Sequence, residues 1–133
     1  TSEMAEKFLL QLKEKTAGSN TKIVVMSDHL AHRNSATDTL EQFDRRNTVI
    51  FLQDDQPPAY IDKPGSMLDV FPTVLDWIGW LPTRDPGAGL GVSLLRGDET
   101  LVESLGVDVV NQRLSVDIEL SKTLWSGMTA GGV

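Results

Sequence analysis

Cysteine is absent from these 133 residues, which excludes disulfides and thiolate metal sites and leaves the redox compartment open. Basic residues are scarce: 12 Lys and Arg stand against 19 Asp and Glu, a net charge of −7 with no basic run. That balance argues against nucleic acid, or an anionic membrane surface, as the main partner. No apolar stretch approaches the roughly 18 residues of a membrane-spanning helix, and no signal peptide, internal repeat or low-complexity tract is visible. The chain opens on Thr1 rather than Met, as a piece excised from a longer protein would. What is present, 40% hydrophobic residues including three Trp, suffices for a globular core. One domain or subdomain over 1–133 is expected, with a frayed, Gly-rich tail at 128–133.

The central stretch is 22–34, K-I-V-V-M-S-D-H-L-A-H-R-N. Its apolar, β-branched run at 23–26 suits a strand buried on both faces. In open parallel α/β sheets ligands bind beyond the carboxyl ends of strands, which is where Ser27, Asp28, His29, His32, Arg33 and Asn34 emerge. Asp28 offers a hard carboxylate oxygen and His29 an imidazole nitrogen, a pair suited to Mn²⁺, Zn²⁺ or a similar ion. Neighbouring side chains on a regular strand point to opposite faces, so both reach one ion only where the strand has ended. On residue chemistry alone the commoner reading is a loop cap beside an exposed histidine, and for His32 a solvated loop histidine outweighs a substrate-binding or proton-transferring imidazole.

In chain order, residues 2–16 place Met4, Phe8, Leu9 and Leu12 at helical spacing, giving an amphipathic surface helix that stops at 17–20. Residues 30–47 read as a long polar loop with one helical turn near 39–43, the kind of loop that often carries function. The run N-T-V-I-F-L at 47–52 is a second strand for the same sheet, closed by D-D-Q-P-P. Within S-M-L-D-V-F-P-T-V-L-D-W-I-G, the residues Val70, Phe71, Val74, Leu75 and Ile78 form an apolar stripe closed by Gly79. This predicts a helix that begins either at Asp69 as N-cap, with Pro72 in its first turn, or near Ser66 with a kink. Residues 81–91 are a Pro- and Gly-rich loop, Asp98 is a candidate cap for a helix to Leu105, and 108–125 reads as one broken helix or two short ones.

The order of these parts resembles the C-terminal part of the sulfatase-like, alkaline phosphatase superfamily. The residues that carry the resemblance are V-V-M-S-D-H-L, then N-T-V-I-F-L-Q, then D-x-x-P-T-x-L-x-x-x-G, then G-L-G-V-S-L-L, over about 1–97. Within that superfamily the S-D-H-L start, the D-D-Q-P-P loop and the L-W-S ending look like the membrane-bound phosphoglycerol transferases that modify periplasmic glucans, which are related to lipoteichoic acid synthases. The implied fold is α/β, part of an alkaline-phosphatase-like three-layer arrangement with few strands and helices packed on the sheet.

The resemblance further implies a divalent ion, Mn, Zn or Mg, bound by Asp28 and His29, with His32, Arg33 and Asn34 near the substrate. It implies phosphatidylglycerol as donor, a glucan as acceptor, and an inner-membrane parent with a periplasmic catalytic domain. The threonine nucleophile is expected upstream, so no catalytic residue falls in this stretch, which is inactive without the remainder of the catalytic domain. Asp69, Pro72, Thr73 and Gly79 read as cap, first turn and helix stop. Two alternatives stand beside this reading: a sulfatase or phosphomonoesterase of the same superfamily, and a non-catalytic α/β interaction module.

Overall fold

The computed structural model describes residues 2–28, 35–43, 46–53, 57–119 and 122, and the chain divides into two compact units, 1–58 and 59–133. Leu120, Leu124 and the tail over 128–133 lie outside the described residues. The elements mix helices with two small sheets, an α/β composition. No helix among the described residues is long and apolar enough to cross a membrane.

In the first unit, helix α1 (Ser2–Thr16) matches its apolar spacing. Its stripe is only partly covered, because Leu9 and Leu12 are half-buried while Met4 and Phe8 are exposed. Thr16 ends it by donating its hydroxyl to the Leu12 carbonyl at 2.8 Å, and Gly18 follows at φ +77°, a conformation open to glycine at no steric cost. Strands β1 (Ile23–Met26) and β2 (Val49–Leu52) share one sheet as expected, with Ile23 facing Leu52 and Met26 facing Val49. Their pairing is antiparallel, and neither strand is buried on both faces, since Met26 and Ile50 are exposed and the other six residues half-buried. An apolar run records that a strand wants cover, whereas two paired strands in an antiparallel ribbon leave one face wet. Helix α2 (Thr37–Leu40) is a single turn in the loop between them, with Thr37 buried.

The second unit is built around a polar helix face. Ser66 is the N-cap of a 3₁₀ turn over Met67–Asp69 that runs directly into α3 (Val70–Trp77). The helix therefore starts at Ser66, and Asp69 is the reciprocal member of a capping box. Its carboxylate accepts from the Ser66 amide at 2.8 Å and from the Ser66 hydroxyl at 3.2 Å. Pro72 falls in the first turn of α3, where a backbone donor has no partner to lose. The stop at Gly79 is as expected: Gly79 has φ +78°, its amide donates to Asp76, and the Trp80 amide reaches back to Leu75 at 2.8 Å.

The buried face of α3 differs from the apolar stripe. Of the stripe only Val70 is buried, while Phe71 is 60% exposed and Val74, Leu75 and Ile78 are half-buried; Asp69 and Thr73 are 1% and 0% exposed. Asp69, Thr73 and Asp76, at i, i+4 and i+7, share one face, and the segment packed on that face is a hairpin of β3 (Gly87–Ala88) and β4 (Gly91–Val92) with the residues that follow it. Asp69 accepts from the Val92 amide at 3.0 Å. Thr73 donates to the Asp69 carbonyl at 2.5 Å and accepts from the Leu94 amide at 2.8 Å. Helix face and loop backbone thus satisfy one another, so polar residues are buried without orphaned groups.

Helix α4 (Leu101–Leu105) is capped by Thr100, not by Asp98. Thr100 accepts from the Glu103 amide at 3.0 Å, donates to the Pro64 carbonyl at 2.7 Å, and receives the Glu103 carboxylate on its own amide, a complete capping box. Gly106 ends α4, and α5 (Val107–Val116) follows with Val110 buried.

Candidate functional site

Ser27 controls how the chain leaves β1. Its amide donates to the Thr48 carbonyl at 2.9 Å, and the Thr48 amide donates back to the Ser27 hydroxyl at 2.8 Å. In an antiparallel hydrogen-bonded pair the returning bond ordinarily ends on a backbone carbonyl. Here a side chain takes its place, extending the ladder by one residue and ending it. Asp28 follows at once, in a bend and exposed to solvent. The strand has ended before the first of the two proposed ligands, as convergence on one ion requires. His29, His32, Arg33 and Asn34 lie outside the described residues.

Among the described residues no three His, Asp or Glu side chains gather as a metal cluster. Asp28 is an exposed carboxylate, a hard oxygen donor of the class that Mn²⁺, Mg²⁺ and Zn²⁺ take as one ligand among several. One residue of this region escaped the sequence reading. Asn47, next to Thr48, has a solvent-shielded Oδ1 with no hydrogen-bond partner. A lone Asn before an apolar run carries no signal of that kind; only the register of β1 against β2 brings it to notice.

A second polar cluster, in the other unit, has a structural task. The Asp76 carboxylate holds Arg96 through two bonds, from Nε at 2.9 Å and from Nη2 at 2.7 Å, and accepts the Ser93 hydroxyl at 2.6 Å. Arg96 also donates to the carbonyls of Leu81, Pro82, Thr83 and Asp85. Its donors are spent on tying the 81–85 loop to α3, which removes it as a phosphate ligand.

The Arg96 hydrogen bonds hold the Asp76 carboxyl below its ordinary value, against the opposing effect of burial. A carboxylate with a depressed folded-state pKa stabilises the fold above its unfolded value near 3.9, and that contribution is lost as pH falls through the folded value. Urea unfolding from pH 7 to pH 3 is expected to show stability falling below about pH 4, with a flatter acid limb in Asp76→Asn. An acid limb unchanged by that substitution would place the titrating group elsewhere.

The chain matches known proteins in two comparisons. The model of the sulfatase family matches residues 1–80. A protein named phosphoglycerol transferase I from Xanthomonas campestris pv. campestris is 32% identical over 125 residues, covering 90% of this chain and 17% of that protein. Its namesake from Citrobacter koseri is 37% identical over 98 residues, covering 73% of this chain and 12% of that protein. The chain therefore spans less than a fifth of the length of these curated relatives. No solved structure matches it.

Proposed function

The chain belongs to the sulfatase family, whose fold is alkaline-phosphatase-like, and from that premise we propose that the protein containing it moves phosphoglycerol from phosphatidylglycerol to a periplasmic glucan. The relatives' name, phosphoglycerol transferase I, supports the reaction class. The observation that carries a chemical role for these residues is the Ser27–Thr48 clamp, which delivers Asp28 beyond the strand end as an exposed carboxylate. In this reading Asp28 and His29 are metal ligands and His32, Arg33 and Asn34 face the donor or acceptor. The threonine nucleophile belongs to a part of the protein other than these 133 residues. The parent sits in the inner membrane with its catalytic domain in the periplasm.

The reaction has two displacements. The threonine oxygen forms a bond to phosphorus as the bond to the diacylglycerol oxygen breaks, and that oxygen leaves with a proton. A glucan hydroxyl then attacks the phosphoglycerol-threonine, loses its proton and frees the threonine. A divalent ion held by Asp28 and His29 would supply acidification of the nucleophile and neutralisation of phosphoryl charge. For that, the two residues must offer a carboxylate oxygen and a neutral ring nitrogen from a chain segment held still. The Ser27–Thr48 bonds fix the residue before Asp28.

The test is full-length protein incubated with head-group-labelled phosphatidylglycerol and glucan. Label on the glucan, with matching release of diacylglycerol, arrest by EDTA and recovery with Mn²⁺, is the expected result. Hydrolysis of an aryl sulfate or a phosphomonoester without transfer would replace this reading by the hydrolase one.

A further inference from the structure

We propose that Asn47 supplies an oxygen to the cation site that Asp28 begins; this rests on the metal-dependent reading above and adds a ligand which that reading does not contain. A buried acceptor without a partner calls for an explanation, because burying an amide oxygen unpaired is unfavourable and native structures keep few such groups. The Asn47 Oδ1 is one. An amide oxygen accepts and does not donate, so what completes it is a hydrogen-bond donor or a cation.

The register shows which ligand is at hand. Residues of β1 and β2 face one another from Ile23 with Leu52 to Met26 with Val49, and the Ser27 and Thr48 bonds add one pair to that series. One step beyond that last bonded pair, where the ladder has ended, the same count brings Asp28 and Asn47 level with one another. Two oxygens on short side chains that flank the end of a ribbon can converge on one ion with ligand distances of roughly 2.0–2.6 Å. Amide carbonyls are ordinary ligands of such hard ions. Shielding of Oδ1 from solvent does not oppose this, since a dehydrated divalent ion is smaller than a water molecule.

The same geometry gives Ser27 a purpose. By accepting from the Thr48 amide it fixes Thr48, and therefore Asn47, at the level of Asp28.

The experiment is Mn²⁺ titration of the metal-free full-length protein, with the melting temperature of the same metal-free samples, for wild type, Asn47→Ala, Asn47→Asp and Asp28→Ala. Asn47→Ala is expected to weaken Mn²⁺ binding by on the order of 10- to 100-fold while leaving metal-free melting unchanged or raised, because no bond to Oδ1 is lost. Asn47→Asp, which keeps an oxygen and adds charge, is expected to bind at least as tightly as wild type. Unchanged Mn²⁺ affinity in Asn47→Ala, with Asp28→Ala weakened, would overturn the role of Asn47 and spare the metal reading. Unchanged affinity in Asp28→Ala would overturn that reading itself. Lower metal-free melting with unaltered Mn²⁺ affinity would mark Asn47 as structural, and if Asn47→Ala does not fold, weakened binding in Asn47→Asp overturns the proposal.

Discussion

Gly91→Ala is expected to destabilise the second unit by on the order of 3 kcal/mol or more, enough to unfold a marginal fold. A Cβ at this position would collide with the Leu68 carbonyl carbon and oxygen and come within 2.8 Å of the Asp69 amide nitrogen. All three are backbone atoms, in the 3₁₀ turn that opens α3, so no side-chain rotation relieves the clash. Moving them apart would also stretch the Val92 amide from the Asp69 carboxylate and the Leu94 amide from Thr73. Gly89 is the control: it has φ +68° with open space around a Cβ, so Gly89→Ala meets only left-handed backbone strain of about 1–2 kcal/mol. Denaturant unfolding followed by tryptophan fluorescence would rank the two. A Gly91→Ala penalty no larger than that of Gly89→Ala would mean that the β3–β4 hairpin does not lie against the Leu68 carbonyl.

The contrast between these glycines shows what was legible in the sequence and what was not. The apolar runs at 23–26 and 49–52 marked two strands at their observed positions, because β-branched residues between polar breaks have little other use. They carried no information on direction, and antiparallel pairing emerged only in the structure. Gly79 marked the end of α3 because a positive φ leaves a signature in residue choice. Gly91 left none, since its requirement comes from a backbone 23 residues earlier. The face of α3 misled for a related reason: Asp69, Thr73 and Asp76 look like a solvated stripe, yet they are buried or nearly so against amides and a guanidinium. Hydrophobic periodicity detects burial against oil and misses burial against hydrogen-bond donors. Thr100 displaced Asp98 as a cap because the capping box depends on Glu103 three residues later, a spacing that was present to be read. For the site, chemistry placed Asp28 just past the strand, where it stands, while Asn47 needed the register.

Asp28→Ala in the full-length protein is expected to reduce phosphoglycerol transfer by more than about 100-fold, beyond the loss typical of an outer-shell partner, and His29→Ala to do the same. Asp28 is exposed and follows the Ser27–Thr48 bonds, so its removal leaves the hydrogen bonds of the β1–β2 ribbon in place. Melting of the metal-free protein is expected to stay within about 0.5 kcal/mol of wild type, as for a surface substitution. Folding and activity should therefore separate in this variant, whereas they fall together in Gly91→Ala. The decisive measurement is transfer of labelled phosphoglycerol from phosphatidylglycerol by full-length Asp28→Ala, on protein shown by melting to be folded. Loss of transfer with the fold intact is the expected result; transfer at the wild-type rate would contradict a metal-ligating role for the end of β1 and with it the proposed chemistry.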